Sequence, residues 1–220
     1  DQLLTILTPE AAAELVEEAP AEMAVAMIEG LDSAVAARIM EELNSDIQAD
    51  IAAALIRQGV EVWISNHRSV EGILDYILRL GALVGAADKA RTYTDGLRSD
   101  LEALVLQASR HAARPKVYFE EWDEPLISGI QWVAELVRIA GGDDILPELA
   151  AEPMAKNRIM ADGSTVIARD PDIIFGSWCG KKFRPDKVVM RPGWENIAAV
   201  RNRQLFEIKS PTILHLCPTE

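Results

Sequence analysis

The chain has 220 residues, a mass of 24.2 kDa and a formal net charge of −13, and 49% of its residues are hydrophobic. It is long enough for one full domain or two small ones and apolar enough for a buried core, which excludes wholesale disorder. No window holds 18 uninterrupted apolar residues and no basic stretch precedes an apolar one, so neither a membrane span nor an export signal is expected.

The charge is unevenly distributed. Residues 1–50 carry twelve Asp or Glu against the single Arg38, and residues 51–220 carry twenty-three against twenty-one Lys or Arg. The first stretch is therefore near −11 and the rest near −2. Neither has the basic stripe that a phosphate backbone requires, which sets nucleic acid aside as a partner. The step between them predicts two pieces of different origin.

The acidic stretch repeats with a period of twelve, its units starting at Leu7, Ala19, Leu31 and Leu43. Each opens on helix-starting residues: Thr8 with Pro9, Pro20, Asp32 with Ser33, and Asn44 with Ser45. Apolar pairs follow at helical spacing, such as Leu15 with Val16 and Ile39 with Met40. One unit makes a helix of about eight residues, too short to stand alone, so the units are expected to stack. Glu14, Glu17, Glu18, Glu41 and Glu42 read as a solvated face.

From Asp46 the pattern changes. Residues 47–58 continue as helix to Gly59, a residue suited to a helix end. Residues 60–64 alternate as a strand should, and a loop carries Asn66, His67 and Arg68. Ser69 caps a helix reaching about Leu83, and residues 88–113 read as one long helix linking two lobes. Residues 116–122 read as a strand, 123–129 as a loop, and 130–140 as an amphipathic helix closed by Gly141 and Gly142. Residues 143–163 are irregular. Ser164 is expected to cap a short helix, residues 172–178 (DIIFGSW) to form a buried strand, Pro185 to open another helix, and residues 204–209 a last strand. Strands alternating with helices predict a parallel sheet covered by helices.

Candidate chemistry sits in the loops after the strands, where open α/β sheets bind ligands. These loops hold Asn66 and Arg68, then Trp122 and Glu124, then Ser177 and Trp178. The two tryptophans offer stacking faces; Trp63, Trp132 and Trp194 lie on apolar faces and are assigned to core. Glu120 and Glu121 are strand neighbours pointing to opposite faces, so they cannot converge on one substrate. With no activated nucleophile and no phosphate loop, no enzyme is expected. Cys179 and Cys217 have no metal-ligand spacing and act as free thiols or as one disulfide; His67, His111 and His215 are scattered, so neither a metal site nor a cofactor is expected.

Two resemblances are visible. Residues 3–45 resemble the helical repeats at the cytosolic N-terminus of a magnesium-transporter family. Residues 46–220 resemble the solute-binding proteins that deliver cobalamin to ATP-driven importers. The passages that carry the likeness are QADIAAALIRQGVEVWISNHRSVEGIL, YFEEWDEPLISG, VIARDPDIIFGSW and RPGWENIAAVRN with FEIKSP. The second resemblance implies two α/β lobes joined by one helix, with a corrinoid bound between them. Trp122 and Trp178 would stack on the ring, and Asn66, Arg68, Glu124 and Ser177 would meet its amides. It further implies non-enzymatic delivery to an importer's membrane subunit, and a periplasmic or cell-surface location once a signal is removed. That family has more strands before the passage near Asp46 and a final helix after FEIKSP.

The expected organisation is an acidic helical repeat (1–45), a remnant of an N-terminal α/β lobe (46–87), a connecting helix (88–113) and a C-terminal α/β lobe (114–220). The repeat would replace much of the first lobe, by natural fusion or by recombination, and would weaken corrinoid binding. The rival expectation is a structural or interaction protein that keeps the fold without the ligand.

Overall fold

The computed structural model describes residues 6–43, 45–63, 67–178 and 181–213, without the side chains of some N-terminal helical residues. The chain divides into two compact units, residues 1–65 and 66–220.

The first unit is four helices: α1 (Pro9–Glu18), α2 (Ala21–Glu29), α3 (Ser33–Glu42) and α4 (Ser45–Arg57). Their starts are spaced by twelve residues, as the sequence period predicts. The Thr8 hydroxyl accepts the Ala11 amide at 3.4 Å and Pro9 takes the first helical position, so the start of α1 is set by sequence alone. Helices α1 and α3 pack together, as do α2 and α4, around Ala12, Val16, Val25, Ile28, Ile39 and Ile51. Ile51 lies on α4, so the helix that begins the second resemblance closes this core.

Residues 60–63 join no strand, which corrects that expectation; Ile64 lies outside the described residues. Val60 and Trp63 are exposed, so Trp63 is not core either. The alternation is real, but a lone strand is not stable without a partner to pair with.

The second unit begins with α5 (Val70–Leu83) and α6 (Ala87–Ala108), packed along each other. Gly81 makes this possible, since a Cβ there would lie 2.3 Å from the Ala90 Cβ. Arg98 on α6 reaches back to Glu71 on α5 at 2.5 Å. The long helix thus ends five residues before the expected Ala113. Arg110 and His111 donate to the carbonyls three residues back, Gln107 and Ala108, a tightening that closes the helix before Pro115.

A six-stranded sheet follows: β1 (Lys116–Asp123), β2 (Leu126–Ser128), β3 (Asp143–Asp144), β4 (Ile159–Met160), β5 (Ile173–Gly176) and β6 (Leu205–Glu207). The order is β4-β2-β1-β5-β6, with β3 also on β1. Strands β1, β5 and β6 are mutually parallel, the expected parallel core. Residues 123–129, expected as a loop, instead form a hairpin in which β2 runs antiparallel to β1. Glu124 and Pro125 make its turn, and β2 is too short to show a period in sequence.

Helices α7 (Gln131–Ile139), α8 (Pro147–Ala150), α9 (Ser164–Arg169), α10 (Pro185–Val189), α11 (Ala198–Arg201) and α12 (Ser210–Ile213) complete the unit. Asp162, not Ser164, supplies the cap of α9, its carboxylate accepting the Ser164 amide at 2.9 Å. One sheet face carries Tyr118 and Ile174 into a core with Trp178, Phe183 and Trp194; the other packs Phe119 with Ile130 and Val133 beside α7. Glu135 of α7 accepts the Val70 amide at 2.7 Å, tying the start of α5 to this layer. Among the described residues no helix is long and apolar enough to cross a membrane.

Candidate functional site

The carboxyl ends of β1 and β5 lie side by side, Glu120 opposite Gly176. The Ser177 amide donates to the Glu120 carbonyl at 2.8 Å, so the chain leaving β5 starts along β1. At Gly176 a Cβ would fall 1.9 Å from the Phe183 ring, so Phe183 can fold back only over glycine.

The side chain of Glu120 is fully buried at this end. Arg191 forks onto it, Nη1 to Oε2 at 2.6 Å and Nη2 to Oε1 at 2.9 Å, and the Trp178 indole donates to Oε1 at 2.9 Å. Burial opposes the charge on Arg191, but the Glu120 carboxylate outweighs it and holds the guanidinium pKa above its ordinary value. Arg191 also lies 4.5 Å over the Trp194 ring. Tyr118 and Ser177 are buried alongside, and neither hydroxyl has a hydrogen-bond partner among the described atoms. Burial first, then the negative charge of Glu120, raises the Tyr118 pKa well above 10.

Between Glu120 and Trp122 the β1–β2 register shifts, inserting Glu121 as a bulge. Glu121 turns to buried Arg158, which donates to it at 2.5 Å and also to the Ser128 carbonyl. Glu120 and Glu121 therefore serve different cations, in keeping with their expected divergence.

Beyond the bulge, Trp122 is half-buried and its indole donates to the Glu124 carbonyl at 2.8 Å. Asp123 is buried and pairs with Lys181. The Lys181 ammonium stands 4.1 Å from the Trp122 ring centroid and 5.2 Å from that of Trp178. Trp178, Lys181 and Phe183 are thus each held by a carboxylate: Glu120 on Trp178, Asp123 on Lys181, and Glu207, which accepts the Phe183 amide at 3.0 Å.

Of the candidate residues, Trp122, Glu124, Ser177 and Trp178 gather at this strand end. Trp122 and Glu124 reach solvent, whereas Trp178 is only 2% exposed, edge-on to Phe183, and Ser177 is 1% exposed. Arg68 is engaged elsewhere, donating to the Pro153 carbonyl. Asn66 lies outside the described residues, as do Cys179, Cys217 and His215. Trp194 is core and Trp132 is half-buried, its indole donating to the Ile213 carbonyl. No cluster of His, Cys, Asp and Glu suited to a metal ion occurs among the described residues. Sequence reasoning missed Lys181, Arg191 and Arg158. The KK pair after GSWCG was a visible signal for the first, but nothing local pointed to the other two.

A family model described as periplasmic binding protein matches residues 41–212. No curated protein matches the chain. Among solved structures, an ABC transporter substrate-binding protein from Listeria monocytogenes is 16% identical with a TM-score of 0.61, over 76% of this chain and 66% of that one. IsdE of S. aureus, complexed with heme, is 19% identical with a TM-score of 0.60, over 76% and 66%. The vitamin B12 binding protein BtuF of Vibrio cholerae is 19% identical with a TM-score of 0.55, over 72% and 60%. The chain spans 60–66% of the length of these three structures, and at these identities the likeness is one of fold.

Proposed function

Because the chain belongs to the periplasmic binding protein family, we propose that it binds a corrinoid without transforming it, for delivery to the membrane subunit of an ABC importer. The observation that carries this reading is the half-buried Trp122 beside a loop pinned by buried carboxylates, at the end of the sheet where α/β folds take ligands. A flat apolar ring with a polar rim suits such a surface. Trp122 stacks on the ring, and Glu124 and Asn66 meet rim amides. Trp178 and Ser177 act from behind, fixing the loop that frames the ring, and Arg68 joins if it releases Pro153. The BtuF and heme-protein neighbours make a large ring the natural class to test.

We also read residues 3–45 as a segment of separate origin, related to the cytosolic repeats of magnesium transporters. In its support, the family match begins at residue 41, and residues 1–65 have a core of their own. Residues 1–58 contain no aromatic residue, so α1 to α4 offer nothing to stack on a corrin.

Calorimetry and visible absorption during titration with cyanocobalamin test the reading. Saturable binding weaker than nanomolar is expected, and Trp122→Ala should weaken it about ten- to a hundredfold. Absence of saturable binding overturns the reading and leaves an interaction protein that keeps the fold.

A further inference from the structure

We propose that Lys181 reads an acidic group on the rim of the ligand, and so gives preference to a corrinoid that keeps its phosphodiester over one that lacks it. This rests on the corrinoid reading above and adds a specificity determinant to it.

Arg191 has both fork nitrogens on Glu120, Arg158 is buried against Glu121 and the Ser128 carbonyl, and Arg184 is closed onto Asp186 at 2.7 and 3.0 Å. Each of these three is committed to a carboxylate through its fork. Lys181 differs. Its ammonium has three donors and is in ion-pair contact with Asp123, and 38% of its side chain is exposed where the Asp123 side chain is only 2% exposed. It also stands over the ring proposed as the stacking platform. A ligand that takes the opposite face of Trp122 brings its edge within reach of an ammonium that, among the described residues, is engaged only by Asp123 and the two indole rings. Lys182 is exposed as well, but no ring contact places it over the platform.

Asp123 makes this cation a fixed one. A buried carboxylate holds its counter-ion in place before the ligand arrives, so little side-chain entropy is lost on binding. The same pairing partly neutralises Lys181, so Asp123 also limits how strongly it attracts an anion. For a corrinoid, whose rim is otherwise neutral amide, the one acidic group is the phosphodiester of the nucleotide loop. Stacking on Trp122 is indifferent to that group, whereas Lys181 is not.

The test titrates cyanocobalamin, which has the phosphodiester, and dicyanocobinamide, which lacks it, into the full chain. It then repeats both titrations with Asp123→Asn, Lys182→Gln and the double variant Asp123→Asn/Lys181→Gln, each checked for folding by circular dichroism. The double variant leaves no buried carboxylate unpaired, so it removes the ammonium without the penalty of a stranded charge. The wild type should prefer cyanocobalamin by about tenfold, the scale of one charge-assisted hydrogen bond. Asp123→Asn should widen that preference. The double variant should abolish it, lowering cyanocobalamin affinity about tenfold and changing dicyanocobinamide by less than about twofold. Lys182→Gln, which also removes one lysine charge, should leave the preference intact. No preference in the wild type, equal losses for both corrinoids, or an unchanged preference in the double variant would overturn the role of Lys181 and leave the corrinoid reading standing. If the wild type binds neither corrinoid, both fall.

Discussion

The two units of this chain bury different things. Among the described residues, the helical unit of residues 1–65 buries only apolar side chains, from Ala12 and Val16 to Ile39 and Ile51. Every buried polar or charged residue lies in the second unit, and Glu120, Asp123 and Ser177 lie together at one end of its sheet. Burying apolar groups stabilises a fold directly, whereas burying charge stabilises little and demands a partner for each group. A cluster of paired buried charges therefore marks a place where geometry matters more than stability. That contrast supports placing the proposed site in the second unit.

The contrast can be broken most directly at Glu120. Glu120→Ala would strand Arg191 and the Trp178 indole in a buried setting, and a loss of about 3–5 kcal/mol is expected. Thermal unfolding should show it in the α/β transition and not in the helical one. A small loss would mean that water reaches this end of the sheet and that the charges are not held as tightly as their burial suggests. The matching change in the first unit is Ile39→Ala, which opens a cavity in an apolar core and should remove about 2–4 kcal/mol. If Ile39→Ala shifted both transitions equally, the two units would not be independent.

How much of this was legible in the sequence differs between the units for the same reason. Helix starts depend on neighbours, so the twelve-residue spacing of Thr8 with Pro9 and its successors gave α1 to α4 their places. Strands β1 and β5 were legible because each carries β-branched or aromatic residues, Val117 to Phe119 and Ile173 to Phe175, at its centre. The alternating residues 60–63 are also of strand-forming type but have no pairing partner among the described strands, and composition alone cannot foresee that. At the site, Trp122 and Trp178 were found by their position at strand ends. Their different fates were not, since Trp178 is drawn inward by Glu120, fifty-eight residues away in the chain. The Glu121 bulge and its bond to Arg158 are equally non-local.

A third change asks whether polar burial away from the site also leaves a mark. Asp144 on β3 has its pKa raised from 3.8 to about 6, by burial first, against the backbone amides of Leu146 and Ile145 that favour its charge. The folded chain then holds a proton on Asp144 up to about pH 6, whereas the unfolded chain releases it near 3.8. Folding takes up that proton between these values, so stability falls as pH rises from 4 to 6 and is level above. Asp144→Asn lacks this fall. Its stability relative to wild type should rise across that window by about 1–3 kcal/mol, the scale of a shift from 3.8 to about 6. Denaturant midpoints at pH 4 and pH 7 measure it, and parallel pH curves for the two proteins would count against the burial of Asp144.

The smallest expected effects compare the units at their helix starts. Thr8 caps α1 with a bond of 3.4 Å, and it stands before a proline already set for a helix. Ser69 caps α5 at 3.0 Å, and there the adjacent Val70 amide is also taken, by Glu135 of α7. Losing Thr8 leaves a weak bond unmade at an exposed start, where water replaces it; Thr8→Ala should remove about 0.5 kcal/mol. Losing Ser69 opens a partly buried start that Glu135 holds against α7, so the Gly72 amide cannot turn to solvent as freely; Ser69→Ala should remove about 1 kcal/mol. Paired unfolding curves at one pH resolve the two. Were Thr8→Ala the more damaging, the helical unit would depend on its caps rather than on the packing of Val16, Ile39 and Ile51. It would then be a row of locally stabilised helices and not a second core.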